Sequence, residues 1–136
     1  MKHEQQQQRL DKIIKEDPRF KRDAYLFVSE AVAYTMAKLR EEGVPRHITG
    51  QELLDGIREH ALETFGPLTL DVLQDWGVGS CEDFGAIVFN MVEHSLLGAS
   101  DEDSPEDFTG GYDFHEAFLK PFLDAPDPLP TPPGIT

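Results

Sequence analysis

Apolar residues recur at intervals of three and four along most of this 136-residue chain, the period of an amphipathic helix, while strict alternation is nearly absent. The first such stretch, from about Glu4 to Glu16, follows a glutamine run (Gln5 to Gln8) and carries a thin stripe of Leu10, Ile13 and Ile14, which predicts a frayed helix. Asp17 and Pro18 then read as the N-cap and first position of a new helix, because aspartate can accept orphan backbone donors and proline has none to lose. That helix places Phe20, Ala24, Phe27, Val28, Ala31, Val32, Thr35 and Leu39 on one face, and Gly43 and Pro45 stop it.

The clearest start signal is Thr49 with Glu52 three residues on, a capping box, with Ile48 set to staple onto Leu53. The buried stripe behind it is Leu53 or Leu54, Ile57, Ala61 and Phe65, closed by Gly66 and Pro67. A short helix turns Leu70, Leu73 and Trp76 inward and ends at Gly77. Ser80 is a further N-cap, with Glu82 and Asp83 in the first turn where the helix dipole favours them. Phe84, Ile87, Val88, Met91, Val92 and Ser95, widened by Phe89, Leu96 and Leu97, make the following helix the most apolar and place it in the middle of the core.

Past Gly98, the polar run Ser100 to Asp107 reads as a loop closing with one helical turn capped by Ser104 and opened by Pro105. Phe108, Tyr112, Phe114, Phe118 and Phe122 predict an aromatic strap with a helical turn near Asp113 to Leu119, laid over the helices. Ala125 to Thr136 holds five prolines in twelve residues and reads as an extended tail. The expected fold is mainly α: a single-domain bundle of about five helices over residues 17–124, between a polar segment (1–16) and a proline-rich disordered tail (125–136). Two stretches, Arg46 to Thr49 and Leu96 to Ser100, have the composition for short strands, and paired they would form a minor winged-helix-like element.

Charge changes the picture more than composition does. Residues 1–48 hold ten basic against eight acidic side chains, and residues 49–136 hold two against eighteen, so net +2 and net −16 make the overall −14. Between Arg58 and Lys120 there are 61 positions without Lys or Arg and fourteen carboxylates. Such a surface repels phosphate backbones and anionic lipid and attracts basic proteins or peptides. The candidate partner-binding surface is Glu59, Glu63, Asp71, Asp75, Glu82 and Asp83. No apolar run has the roughly 20 residues that cross a bilayer, and one cysteine, Cys81, makes no internal disulfide, so a cytoplasmic domain is expected.

The stretches Gly50 to Arg58, Trp76-Gly77, Glu82 to Gly85, Ile87 to Glu93 and Tyr112 to Phe114, preceded by Ala24-Tyr25 and Phe27-Val28, resemble a small family of uncharacterised bacterial proteins. The likeness covers roughly Asp17 to Phe118. It implies a self-contained bacterial cytosolic domain and carries over no catalytic residue, cofactor or ligand.

Candidate chemistry is thin. Gly77-Val78-Gly79 begins like a dinucleotide fingerprint, but Glu82 stands where the third glycine belongs and would repel pyrophosphate. Cys81 lies in a helix first turn, which lowers a thiol pKa, beside Glu82 and Asp83, which raise it. His60 with Glu63, Glu93 with His94, and Asp113 with His115 and Glu116 are metal-ligand types at workable spacing, but no Glu stands three residues before a His as di-iron bundles require. Asp101, Asp103 and Asp107 resemble a calcium loop with Pro105 in place of its glycine turn. Arg9, Lys12, Lys15, Arg19, Lys21 and Arg22 are the basic cluster a nucleic-acid-associated regulator would use, interleaved with acids. The preferred expectation is a non-enzymatic acidic interaction module without cofactors. A winged-helix-like regulator and an enzyme or metal protein of unrecognised type are the alternatives.

Overall fold

The computed structural model describes residues 2–43, 48–99 and 103–123. Among them there is no strand, and the architecture is a helical bundle: α1 (Lys2–Glu16), α2 (Arg22–Glu41), α3 (Gly50–Phe65), α4 (Thr69–Asp75) and α5 (Cys81–Glu93). A 3₁₀ turn (Pro105–Phe108), a π-helical turn (His115–Leu119) and one last helical turn, α6 (Lys120–Leu123), complete it. The described parts of the two strand candidates are irregular. Thr49 is engaged in its capping box, and the Leu96 amide donates to the Met91 carbonyl (2.8 Å), so neither backbone is available for a ladder there. Residues 44–47 and 100–102, and the proline-rich tail, lie outside the described residues.

The expected frayed start is a fifteen-residue helix. Leu10 and Ile13 belong to the same core as Phe20, Val28, Leu54, Ile57, Leu73, Phe84, Ile87 and Phe118, which explains why so polar a sequence is helical. Asp17 closes α1 instead of opening α2: its amide donates to the Ile13 carbonyl (2.8 Å), and its carboxylate accepts from Arg19 Nε and Nη2 (2.8 and 2.7 Å) and from Asn90 Nδ2 (3.0 Å). Phe20 is buried in the intervening turn, so α2 starts only at Arg22, and the amide of its cap, Lys21, donates to the Trp76 carbonyl (3.1 Å).

The other caps match the sequence. Thr49 and Glu52 form the reciprocal box, Ser80 Oγ accepts from the Asp83 amide, and Ser104 with Asp107 forms a second box over the 3₁₀ turn. The central helix is shorter than expected. It stops at Glu93 because Ser95 turns left-handed (φ 60°), with Ser95 N bonded to Val92 O and Leu96 N to Met91 O, a Schellman motif built on serine where glycine is usual. Leu96 and Leu97 therefore lie in a turn.

Glycines set the distances between elements. A Cβ on Gly56 would stand 1.8 Å from Thr35 Oγ1 where α2 crosses α3, one on Gly50 would stand 2.8 Å from Asp107 Cβ, and one on Gly85 would stand 3.0 Å from Phe108 Cβ. Gly77 combines positive φ (87°) with a Cβ position 2.2 Å from the Arg19 carbonyl. The strap packs as expected through Phe108, Phe114 and Phe118, with Phe114 and Phe118 edge-to-face at 5.1 Å, but Phe122 is exposed on α6.

Gly56→Ala gains up to about 1 kcal/mol of helix propensity, yet it drives a methyl into Thr35, and overpacking costs typically about 1–3 kcal/mol. The clash should win. Urea unfolding of Gly56→Ala is expected to show a loss of about 1–2 kcal/mol, part of it recovered when Thr35→Ala is added.

Candidate functional site

An opening lies where α2, the start of α3 and the second half of α5 meet, and it encloses about 520 Å³. Ligand sites commonly span about 300–1,000 Å³. Val32 and Met36 from α2, Ile48 and Leu53 around the α3 start, and Val88, Phe89 and Val92 from α5 make its walls apolar. Leu97, Gly98 and Ala99 from the Schellman turn and Phe108 close one side, and its polar side chains are Thr49, Asp103 and Asp107. Among the described residues no Lys, Arg or His lines it. The hydrophobic stripes predicted for α2, α3 and α5 contain most of these residues, but sequence periodicity assigns them to a closed core. What leaves the hollow is the early stop of α5 and the glycine-limited approach of the 3₁₀ turn to α3, neither of which has a local signal.

The groups with chemical potential are engaged elsewhere. Gly79 N donates to Asp83 Oδ2 (2.8 Å), so the protein's own carboxylate occupies the place where a phosphate would bind. Cys81 is buried and its Sγ lies 3.4 Å from the Tyr112 carbonyl. Burial pushes the thiol pKa up, with the Glu82 charge acting in the same sense, so the group is an inert thiol. Tyr112 donates its hydroxyl to the Leu54 carbonyl (2.9 Å), and burial holds that phenol far above its ordinary range. His60 stacks between Phe27 and Tyr34 (5.2 Å each), and its buried Nε2 is 3.5 Å from Glu30 without hydrogen-bond geometry. Asp113 caps the amide of Glu116. Among the described residues no three His, Cys, Asp or Glu side chains converge as a metal site would require.

The six carboxylates proposed from sequence do not line the cavity. Glu59 pairs with Lys38 (2.7 Å) and Asp75 with Lys21 (3.2 Å), while Glu82 accepts from the Gly110 amide and Asp83 from that of Gly79. Glu63 and Asp71 are exposed and make no hydrogen bond or ion pair among the described residues. Asp103 and Asp107, weighed from sequence only as a calcium loop, are the carboxylates at the cavity. In the basic cluster, Arg9 bonds the Ser95 carbonyl, Arg19 bonds Asp17, Lys21 bonds Asp75, and Arg22 bonds Gln7 and Asp11, so four of the six cations are tied within the chain.

The turn that walls the cavity is held from behind by α1. His94 Nδ1 faces the Asn90 carbonyl and Nε2 faces Glu16 Oε2, both at 2.9 Å. Both neighbours are acceptors, so only the imidazolium donates to both. The Asn90 carbonyl and then Glu16 raise the His94 pKa above 6.5, against burial and the charge of Lys12. Beside it, Arg19 first and Asn90 next hold the Asp17 carboxyl far below the usual carboxylate range, against the opposing effect of burial.

The chain matches no known family model, no curated protein and no solved structure. No helix among the described residues is long and apolar enough to cross a membrane.

The two groups titrate with opposite sign. His94 stabilises fully below its unfolded value of 6.5 and that stabilisation is lost as pH rises through the folded pKa. Asp17 stabilises above its unfolded 3.8 and that is lost as pH falls through the folded pKa. Hydrogen exchange of α1 amides, corrected for intrinsic rates, should therefore quicken as pH rises above 6.5 through the raised folded pKa of His94, and His94→Gln should flatten that rise. Asp17→Asn should lower stability at every pH above about 3.8 and remove the part of the acid loss that Asp17 causes.

Proposed function

We propose that this chain is a non-enzymatic interaction module of the cytosol that docks a basic protein or peptide through the surface beyond Thr49. The observation that carries this reading is the state of its carboxylates. The protein's own cations neutralise only some of them: Lys38 and Lys21 take Glu59 and Asp75, while Glu63 and Asp71 face solvent in a part of the chain with no Lys or Arg between Arg58 and Lys120. A field of one sign raises the encounter rate of a complementary partner without assigning any reaction. The side chains that could do chemistry support the same reading, since Cys81, Tyr112, His94 and Asp83 are each engaged in packing or capping contacts.

The stretches whose resemblance to a bacterial family is only an expectation from sequence hold residues with structural roles. Gly50, Gly56, Gly77 and Gly85 are positions where a side chain would collide with a neighbouring element, and Tyr25, Asn90 and Tyr112 tie elements together by hydrogen bonds.

A labelled lysine-rich peptide titrated at low salt and at roughly 0.5 M salt, where the Debye length is about 4 Å, tests the reading. Binding should weaken steeply with salt, and Glu63→Lys with Asp71→Lys should weaken it further at low salt. An affinity that ignores salt, or no binding at low salt, would rule out electrostatic docking.

A further inference from the structure

We infer that α1 is a pH-controlled latch, independent of any docking partner: it swings off the bundle about Asp17 and Pro18 while α2 to α5 stay folded, held shut by the doubly protonated His94 imidazole. Loss of one proton releases it. Attachment of this helix is thin. Of residues 4–16 only Leu10 and Ile13 are buried, with Ile14 half-buried, and so polar a stretch of this length is not helical without such contacts. Its other ties are single polar contacts: Arg9 on the Ser95 carbonyl, Gln7 and Asp11 on Arg22, Glu16 on His94 and Asp17 on Asn90. Just past it the chain is fixed. Phe20 is buried in the core, the Lys21 amide donates to the Trp76 carbonyl (3.1 Å), and the Arg19 carbonyl occupies the place of a side chain at Gly77. Pro18 has no amide with which to carry a helical ladder across. Opening that begins in α1 therefore ends at Pro18, as expected of an element with few buried contacts.

Charge closes the latch. His94 meets two acceptors, the Asn90 carbonyl at Nδ1 and Glu16 Oε2 at Nε2 (2.9 Å each). The imidazolium donates to both, whereas the neutral ring keeps one proton and turns a lone pair toward the other oxygen. Among the described residues, the charged and titratable groups at this junction come from every element that meets there. Arg9, Lys12, Glu16 and Asp17 belong to α1 and its end, with Arg19 on Asp17; the Tyr25 hydroxyl of α2 shares Asn90 with Asp17, and Glu93 precedes His94 on α5. The Asn90 carbonyl and then Glu16 raise the His94 pKa above 6.5, against burial and Lys12, so the latch is shut below 6.5 and opens as pH rises through the folded value. A single proton limits the change in the open-to-closed ratio to about tenfold per pH unit.

Opening uncovers one face. Gln7 and Leu10 wall one side of a hollow of about 320 Å³, and Tyr25 of α2, Met91 of α5 and Leu96 line the other. With α1 in place Met91 is 1% exposed, whereas Met36, which does not line this hollow, is 40% exposed.

The test uses the full chain and two readouts, hydrogen exchange by mass spectrometry and peroxide oxidation of methionine to the sulfoxide. As pH rises above 6.5, α1 protection corrected for intrinsic rates should fall by at most about tenfold per pH unit while α3 and α5 keep theirs. The ratio of Met91 to Met36 oxidation should rise in parallel. Glu16→Gln should move the rise to lower pH and Lys12→Gln should move it to higher pH, opposite shifts that a merely structural role for either exposed side chain would not produce. Exchange of α1 only together with α3 and α5 would overturn the latch. Opening of α1 that ignores pH, or a pH dependence that both substitutions leave in place, would overturn control by His94. Met91 oxidation that fails to follow α1 exchange would overturn the uncovering of that face.

Discussion

Helix α3 is approached closely from several sides, and it can be so approached only where side chains are missing. Thr35 of α2 fills the space where Gly56 would carry a Cβ, and Asp107 fills the space at Gly50. On a third side Gly111 brings the strap against Leu54, so near that a Cβ there would stand 2.5 Å from Leu54 Cδ1 and 3.1 Å from Cys81 Sγ. Close-packed interiors tolerate little change in volume, so these contacts fix how near α2 and the strap lie to α3. The rest follows from that spacing. The Tyr112 hydroxyl reaches the Leu54 carbonyl, Phe114 and Phe118 seat against the core, and Phe27, Phe65 and Trp76 gather at the other end of α3 with ring centroids 5.6 Å apart.

The same spacing decides what the protein presents to solvent. Met36 follows Thr35, and Leu53 precedes Gly56 by one turn, so the cavity opens immediately beside the tight crossing. Its far wall is the turn after α5, which Arg9 and Glu16 of α1 hold in place through the Ser95 carbonyl and His94. Groups that elsewhere serve catalysis are bound into this frame: the thiol is buried against a carbonyl, and the imidazole of His94 bridges two helices.

Local signals in the sequence were sufficient wherever a structural feature depends on residues a few positions apart. The Thr49–Glu52 box, the Ser80 and Ser104 caps and the apolar stripes of α2 to α5 are of this kind. Features that depend on distant partners were not legible. Asp17 has the chemistry of a cap, but Arg19 and Asn90, the latter 73 residues away, direct its carboxylate elsewhere. Ser95 ends α5 without the glycine that marks such a stop, because Arg9 takes the Ser95 carbonyl and the preceding His94 is held by Glu16. The cavity is the extreme case, since every residue in its walls looks like core until the spacing of three helices is known. The position of Asp103 and Asp107 at the hollow likewise needed the fold.

Heat capacity separates apolar insertion from surface charge attraction more directly than affinity does, because burying apolar surface lowers it whereas contact between exposed ions barely changes it. Calorimetry of a lysine-rich peptide binding at several temperatures should give a heat-capacity change near zero, with an affinity that falls steeply as salt is added. A clearly negative heat-capacity change, or an affinity that salt leaves unchanged, would contradict docking through exposed carboxylates.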